Sequence, residues 1–325
     1  MLMISHKDER QVMILVTGGS GFIGSHTVRA LYDLGETSVL IQRRTGQVPA
    51  HLADLPVAAE QADVADLGAL RAVGARHQVS GIVHLAGYPA PRGTAGGIES
   101  TQGLLDGLLN VARVAQEWGL RRVCLASTIG VYGGIETGGP LTEDLPVYLT
   151  APHPIPRSKK ISELLGEQLA EATDVEIVNL RISGTWGPLG HEDPFFAAPA
   201  LIHAAASGKP LDLSGLLVQP QTGDGLDLCY VKDTGRAIAL LQTAEHLGHR
   251  TYNIASGRVT TNADIIAAIH EIVPEADLEL PAGTGRPGSA LDITRIHDDT
   301  GFEPEYDTAR AAADYIAWLR AGNER

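Results

Sequence analysis

The feature that most constrains this chain is a set of spaced glycines near its N-terminus. An apolar, partly β-branched run ends at Thr17, glycines follow at positions 18, 19, 21 and 24, and an apolar-spaced segment begins at Phe22. This order is typical of a strand, a tight turn and a helix whose first N–H groups attract a pyrophosphate. The stretch predicts a dinucleotide site formed by Gly18, Ser20, Gly21, Phe22 and Ile23. A glycine-rich turn without a ligand is the alternative interpretation.

Length and composition indicate one large domain or two unequal lobes. A chain of 325 residues with 44% hydrophobic content can bury a sizeable core. The net charge of −14 argues against a broad attraction to nucleic acid or to an anionic membrane surface. Because residues 1–11 carry charges without the apolar core of a secretion signal, we expect a flexible tail there.

The cysteines and histidines of the sequence bear on location and on metal binding. Cys124 and Cys229 both lie in apolar, strand-like runs, which favours buried thiols and a reducing, cytoplasmic location. No His/Cys cluster with metal-ligand spacing occurs in the sequence, so no metal site is predicted.

Strand-like and helix-like segments alternate with short connections up to Arg181. Such alternation predicts an α/β fold with a doubly wound parallel sheet. Beyond that point prolines and glycines interrupt the pattern. We therefore expect a dinucleotide-binding domain over residues 12–181, to which residues 226–255 return, and a smaller substrate-binding lobe formed mainly by residues 182–325.

The end of the second predicted strand, residues 38–42, bears on which dinucleotide is bound. An NAD site usually places a carboxylate there, which accepts hydrogen bonds from the ribose and repels a 2′-phosphate. Here the strand is followed by Arg43 and Arg44, whose guanidiniums suit a phosphate. The sequence therefore favours NADPH/NADP+, the alternative being that both arginines only solvate the loop.

A set of short motifs gives this chain a family resemblance. Their order and spacing resemble those of extended short-chain dehydrogenases/reductases, the group that contains nucleotide-sugar epimerases and dehydratases. The resemblance implies a Rossmann domain, a C-terminal substrate domain and a nicotinamide dinucleotide cofactor. The motifs are Val16–Gly24, Asp63–Val64, His84–Ala86, Ser127–Gly133, Ser158–Lys159, Trp186–Pro188 and Tyr252–Ile254.

The same resemblance assigns roles to individual residues. It implies that Asp63 and Val64 contact the adenine and that Ala86 and Gly87 line the cofactor. It also places Thr128 at the catalytic Ser/Thr of the family. In a separate role, Lys159 corresponds to the lysine that holds the nicotinamide ribose.

The chain departs from the family at the position of the acid/base tyrosine, four residues before that lysine. Isoleucine stands there, as Ile155, and it cannot exchange a proton. Leu104, Gly184 and Ser289 replace further polar residues of the family pattern. These changes predict chemistry that differs from that of an ordinary sugar epimerase.

Three hypotheses follow for the function. The first is an NADP-dependent ketoreductase of an aromatic polyketide ketone, in which the substrate supplies its own proton; a suspected similarity to atypical ketoreductases of angucyclinone antibiotic pathways favours it. The second is a nucleotide-sugar epimerase or dehydratase with a relocated acid, such as Tyr148, Tyr132 or His153. The third is a non-catalytic protein that senses NADPH.

The remaining predictions concern the substrate pocket and the assembly. Aromatic side chains could form a flat pocket beside Ile155, and the substrate-binding candidates are Tyr132, Trp186, Phe195 and Phe196, although aromatic residues are also common in cores. The resemblance further implies a homodimer through two helices that carry Leu104, Leu108, Val111, Leu164, Leu165 and Leu169, and the equal alternative is that these side chains form a buried helix face.

Overall fold

The computed structural model describes residues 11–87, 97–151, 153–190 and 195–323, so the expected tail lies outside it apart from Gln11. The strands are β1 (Val12–Thr17), β2 (Ser38–Gln42), β3 (Ala58–Gln61), β4 (Gln78–His84), β5 (Arg122–Thr128), β6 (Glu176–Ile182), β7 (Gly184–Trp186), β8 (Gly225–Tyr230), β9 (Thr251–Ile254) and β10 (Val259–Thr261). The α-helices are α1 (Phe22–Asp33), α2 (Leu67–Arg76), α3 (Gly97–Glu117), α4 (Pro154–Ala172), α5 (Ala198–Ser207), α6 (Val231–Thr243), α7 (Asn262–His270), α8 (Thr294–Thr300) and α9 (Thr308–Arg320).

The main sheet has seven parallel strands in the order β3-β2-β1-β4-β5-β6-β9. Leu15 of β1 lies opposite Val39 on one side and Ile82 on the other. The strand order reverses between β1 and β4, and in such sheets ligands bind outside the carboxyl ends of the strands at that reversal. The predicted doubly wound Rossmann fold is confirmed, and Thr17 and His84 mark the expected edge of the site.

Apolar side chains cover both faces of this sheet because successive residues of a strand point to opposite sides. Val16 packs in one buried layer with residues of α1 and α6, including Leu31 and Ile238. Leu15, its neighbour in β1, packs in the other layer with residues of α2 and α3, including Leu70. The strands are therefore buried on both faces, as parallel sheets require.

The C-terminal part of the chain contributes to both lobes. Helix α6 packs against α1, and β9 completes the main sheet beside β6. Strand β8 instead joins a three-stranded sheet of order β10-β8-β7. This small sheet packs with α5, α7 and α9 around a separate apolar core.

Helices α3 and α4 expose an apolar strip that differs from the predicted dimer face. Leu108 and Val111 are buried in the core, so they cannot contact a second subunit. Leu164 of the predicted face is exposed, and so are Leu109 and Ile161, which were not predicted. Homodimer formation stays a prediction. Within the described ranges, no helix has the length and apolar character needed to cross a bilayer.

Candidate active site

The glycine turn has the close backbone packing that the sequence predicted. Gly18 has a φ of +71°, and a Cβ atom added there would lie 3.0 Å from the backbone nitrogen of Ala86. A Cβ atom on Gly24 would lie 2.1 Å from the carbonyl oxygen of Gly18. Gly21 is exposed at the N-cap of α1, where the first N–H groups have no acceptor within the helix. The turn therefore offers an anion a site made of backbone donors, and Ser20, Phe22 and Ile23 lie within it.

The predicted adenosine side of the site lies along the ends of β2 and β3. Arg43 and Arg44 are exposed directly after β2, and the carbonyl of Arg43 accepts a hydrogen bond from Nε2 of Gln61 at 3.2 Å. Asp63 holds a turn by accepting the N–H of Ala65 at 2.9 Å.

Asn110 of α3 fixes the same turn from the neighbouring helix. Its amide donates to the carbonyls of Val64 at 3.1 Å and Ala65 at 2.9 Å. Asn110 is therefore a supporting residue that the sequence reasoning missed, because its position on a helix gave no local signal.

A hydrogen-bonded group joins the ends of β1 and β4. Thr17 Oγ1 lies 2.7 Å from Nδ1 of His84 and accepts the backbone N–H of Ala86 at 3.1 Å. Burial, together with the nearby ammonium of Lys159, lowers the pKa of His84 to about 3. His84 is therefore neutral at physiological pH. Ala86 continues into Gly87, which is exposed with open space around its Cα.

Thr128 ends β5 and caps the short 3-10 helix of Ile129–Tyr132, since its Oγ1 accepts the N–H of Gly130 at 3.2 Å. The hydroxyl proton stays available for another acceptor. Pro156 of α4 lies against Gly130, because a Cβ added to that glycine would be 2.7 Å from Cγ of Pro156. The start of α4 is thus packed beside the Thr128 end of β5.

Helix α4 begins at Pro154, directly after a capping histidine. His153 is its N-cap, with Nδ1 accepting the N–H of Ile155 at 3.4 Å, and Pro154 occupies the first helical position. Ile155 is 43% exposed in the first turn. Lys159 follows at i+4 on the same face. Burial lowers the pKa of Lys159 to about 8, with Glu163 opposing this shift.

A buried ion pair lies one turn beyond Lys159. The carboxylate of Glu163 accepts hydrogen bonds from Arg181 Nε at 3.1 and 3.2 Å and from its Nη2 at 2.8 Å. It also accepts the hydroxyl of Ser127. Arg181 Nη1 donates to Tyr132 Oη at 3.0 Å, and that hydroxyl donates to Asn253 Oδ1 at 2.8 Å. The pair therefore links α4 to the ends of β5, β6 and β9.

The predicted aromatic pocket is only partly assembled. Tyr132 is 3% exposed and its hydroxyl is used by Arg181 and Asn253, so it does not face a substrate. Trp186 is 2% exposed and packs edge-on against Tyr230 in the core of the small lobe. Both predictions are corrected by this burial.

The other two aromatic candidates have different surroundings. Phe196 is half-buried against the same small-lobe core as Trp186. Phe195 is 50% exposed, and its ring lies 5.1 Å from that of His153 in an edge-to-face arrangement. Of the predicted pocket residues, Phe195 and Ile155 are the ones near the start of α4 that have exposed surface.

Sequence reasoning missed Glu163, Arg181 and Asn253. One signal was present: Glu163 stands four residues after Lys159, and Arg181 ends an otherwise apolar strand, where an unpaired charge would be costly. No group of three or more His, Cys, Asp or Glu side chains that could hold a metal occurs within the described part of the chain.

Relatives of this chain match it over nearly its whole length. It is 31% identical to a dTDP-glucose 4,6-dehydratase of Neisseria gonorrhoeae over 94% of this chain and 90% of that protein. It is 28% identical to a UDP-glucose 4-epimerase of Azospirillum brasilense over 90% and 88%. Its fold matches that of a dTDP-glucose 4,6-dehydratase from Bacillus anthracis, solved in complex with NAD, with a TM-score of 0.78, 22% identity and 97% coverage of both chains.

These findings overturn the first functional hypothesis. These relatives are nucleotide-sugar dehydratases and epimerases, and they do not support a reductase of aromatic polyketide ketones or an angucyclinone ketoreductase. The absence of the tyrosine at Ile155 led to that hypothesis, but one substituted position carries less information than similarity along more than 300 residues.

The family itself follows from a match that spans the main lobe. The model of the NAD dependent epimerase/dehydratase family matches residues 14–255, which run from within β1 to the residue after β9. This range contains the strand reversal, Thr128, Lys159 and the buried ion pair. The chain belongs to the NAD dependent epimerase/dehydratase family.

Proposed function

We propose that this protein transfers hydride at a sugar carbon of a nucleotide-linked sugar, with its acid/base group at a position other than 155. The observation that carries the proposal is the 31% identity to a dTDP-glucose 4,6-dehydratase over 94% of the chain. The retained glycine turn, Thr128 and Lys159 support it, since each lies at the carboxyl edge of the sheet or packs beside that edge.

The residues at the strand reversal fit a nicotinamide dinucleotide. An added Cβ atom at Gly24 would collide with the backbone, and one at Gly18 would lie only 3.0 Å from the nitrogen of Ala86, so this turn is built for close approach. When bound, the nicotinamide accepts or supplies the hydride. The first turn of α1 would hold the pyrophosphate and Lys159 the nicotinamide ribose, while the hydroxyl of Thr128 would donate a hydrogen bond to a substrate oxygen.

The cofactor we propose is NADP(H), because arginines stand where an NAD site needs a carboxylate. Changing Arg43 and Arg44 together to serine is expected to weaken NADPH binding by about tenfold or more, since two charge-assisted phosphate contacts are lost. The affinity for NADH, which lacks the 2′-phosphate, should stay within about twofold. Fluorescence titration of the protein with each reduced cofactor measures both values. Equal losses for NADPH and NADH would contradict the NADP proposal.

The substrate class is tested with the full-length protein, added NADP+ or NAD+, and a panel of dTDP-glucose, UDP-glucose and UDP-glucuronic acid. Product mass separates the reaction types: a loss of water indicates dehydration, and an unchanged mass with a new chromatographic position indicates epimerisation. Turnover of any of these sugars supports the proposal. A complete lack of turnover, with cofactor binding intact, would overturn it.

A second candidate is a protein that binds the dinucleotide without catalysis. It is favoured by Ile155, which removes the family's proton donor while the glycine turn is kept. Tight NADPH binding without turnover in the same panel is the outcome expected for this candidate.

A further inference from the structure

The replaced tyrosine leaves the proton transfer of the proposed reaction without an assigned group. Oxidation of a secondary alcohol requires a base for the hydroxyl proton, and the reverse reaction requires an acid. Three side chains were candidates for this role: Tyr132, Tyr148 and His153. The contacts of each of these side chains in the structure argue against that role.

Tyr132 is unsuitable because both hydrogen bonds of its buried hydroxyl are made within the protein, to Arg181 and Asn253. Burial also raises its pKa, which opposes ionisation. Tyr148 is 56% exposed, and its ring lies over Gly134, beyond the 3-10 helix that Thr128 caps. Neither phenol is therefore placed like the missing tyrosine.

His153 is the N-cap of α4. Its Nδ1 accepts the first hydrogen bond of α4, from the N–H of Ile155. Its ring also packs edge-on against Phe195. Protonation at Nδ1 would remove the cap. These contacts explain the histidine as a helix cap, without any need for a catalytic role.

Lys159 lies on the helix face that carries position 155. It stands one turn after Ile155, and within the described part of the chain it makes no hydrogen bond. Its neighbour Lys160 is different, because the Nζ of Lys160 donates to the carbonyls of Tyr148 at 2.5 Å and Thr150 at 2.9 Å. Lys160 is thus held as a structural residue, whereas the ammonium of Lys159 is left for a ligand.

The charges around Lys159 leave its proton exchangeable. Glu163 is on the same helix, but its carboxylate is committed to Arg181 and Ser127 and does not hydrogen-bond the ammonium. His84, at the end of β4, is neutral and adds no charge. Burial lowers the pKa of Lys159 to about 8 although Glu163 opposes the shift, and this value is close to the pH at which an acid/base group works best.

We propose that Lys159 is itself the acid/base group of the reaction. In the oxidative direction the substrate O–H bond breaks and its proton goes to the Nζ amine, as the carbon loses hydride to the bound nicotinamide. In the reductive direction the ammonium returns the proton to the carbonyl oxygen. This inference rests on the proposed function and adds the group that moves the proton.

The first test compares matched variants in the nucleotide-sugar panel. Lys159→Arg keeps a positive charge for the ribose but cannot exchange a proton at neutral pH, so turnover should fall by about 100-fold or more. NADPH affinity should change by no more than about threefold, because the charge is kept. Tyr148→Phe and His153→Asn, which keeps a capping side chain, should retain turnover within about threefold. Lys209→Arg, an exposed lysine, controls for the substitution itself.

The second test follows pH. Only the unprotonated amine accepts a proton, so oxidative turnover should rise with pH and level off above about 8; reductive turnover, which needs the ammonium, should fall above the same pH. Independently of turnover, acetylation of Lys159 by acetic anhydride, followed by mass spectrometry, should show a midpoint near pH 8, about two pH units below the ordinary lysine value.

The outcomes separate the two proposals. If the wild type is active and Lys159→Arg is equally active, the role of Lys159 is overturned but the proposed function stands. The same holds if Tyr148→Phe or His153→Asn is inactive. A labelling midpoint above about 10, as for an ordinary lysine, does the same. A wild type that turns over no nucleotide sugar overturns the proposed function, together with the inference built on it.

Discussion

Changing Arg181 to methionine is expected to lower the free energy of unfolding by about 3–5 kcal/mol, because it leaves the buried carboxylate of Glu163 without its cationic partner. Arg181 and Glu163 have side chains that are 7% and 6% exposed, and the guanidinium makes three hydrogen bonds to the carboxylate. Loss of the guanidinium also removes one of the two hydrogen bonds made by the hydroxyl of Tyr132. Urea unfolding followed by circular dichroism measures the change.

The double variant Glu163→Gln, Arg181→Met is the control for this prediction. With the unpaired charge removed as well, stability should recover to well above that of Arg181→Met alone. If the single variant loses less than about 1 kcal/mol, as an exposed pair would, the ion pair is not desolvated as described.

Changing Gly24 to alanine is expected to reduce NADPH affinity by at least about tenfold, or about 1.4 kcal/mol. The new Cβ would stand 2.1 Å from the carbonyl oxygen of Gly18, and neither backbone atom can move without shifting the turn. The N–H groups at the start of α1 would then no longer converge on the pyrophosphate. Titration of cofactor fluorescence measures the affinity, and thermal unfolding reports any loss of stability.

Gly138→Ala is the matched control, because open space surrounds that glycine. It should bind NADPH as the wild type does. A similar loss in both variants, or unchanged binding in Gly24→Ala, would show that the close packing of the turn is not what builds the cofactor site.

The main lobe could be predicted because its signals are local. Strand β2 has the predicted boundaries, since apolar runs bounded by polar or glycine residues mark buried parallel strands. The glycine turn and α1 follow from glycine spacing alone. Helix α4 begins at Pro154 because proline suits a first helical turn and His153 supplies the cap.

The side-chain contacts inside the site could not be predicted from local sequence patterns. Whether Trp186 faces a pocket or a core depends on Tyr230, which follows it by more than forty residues. The ion pair of Glu163 and Arg181 joins a helix to a strand whose register no local pattern fixes. Ile155 showed correctly that the family tyrosine is absent, but it gave no information on the substrate.

The return of α6 and β9 to the main lobe has a consequence for synthesis of the chain. A nascent polypeptide that has emerged only as far as Ile182 has β6 at an open sheet edge and lacks the helix that covers α1. Asn253, which follows in β9, also supplies the acceptor for Tyr132. The ribosome must therefore deliver about 70 more residues, including strands of the small sheet, before the cofactor lobe closes, so the two lobes are expected to mature together.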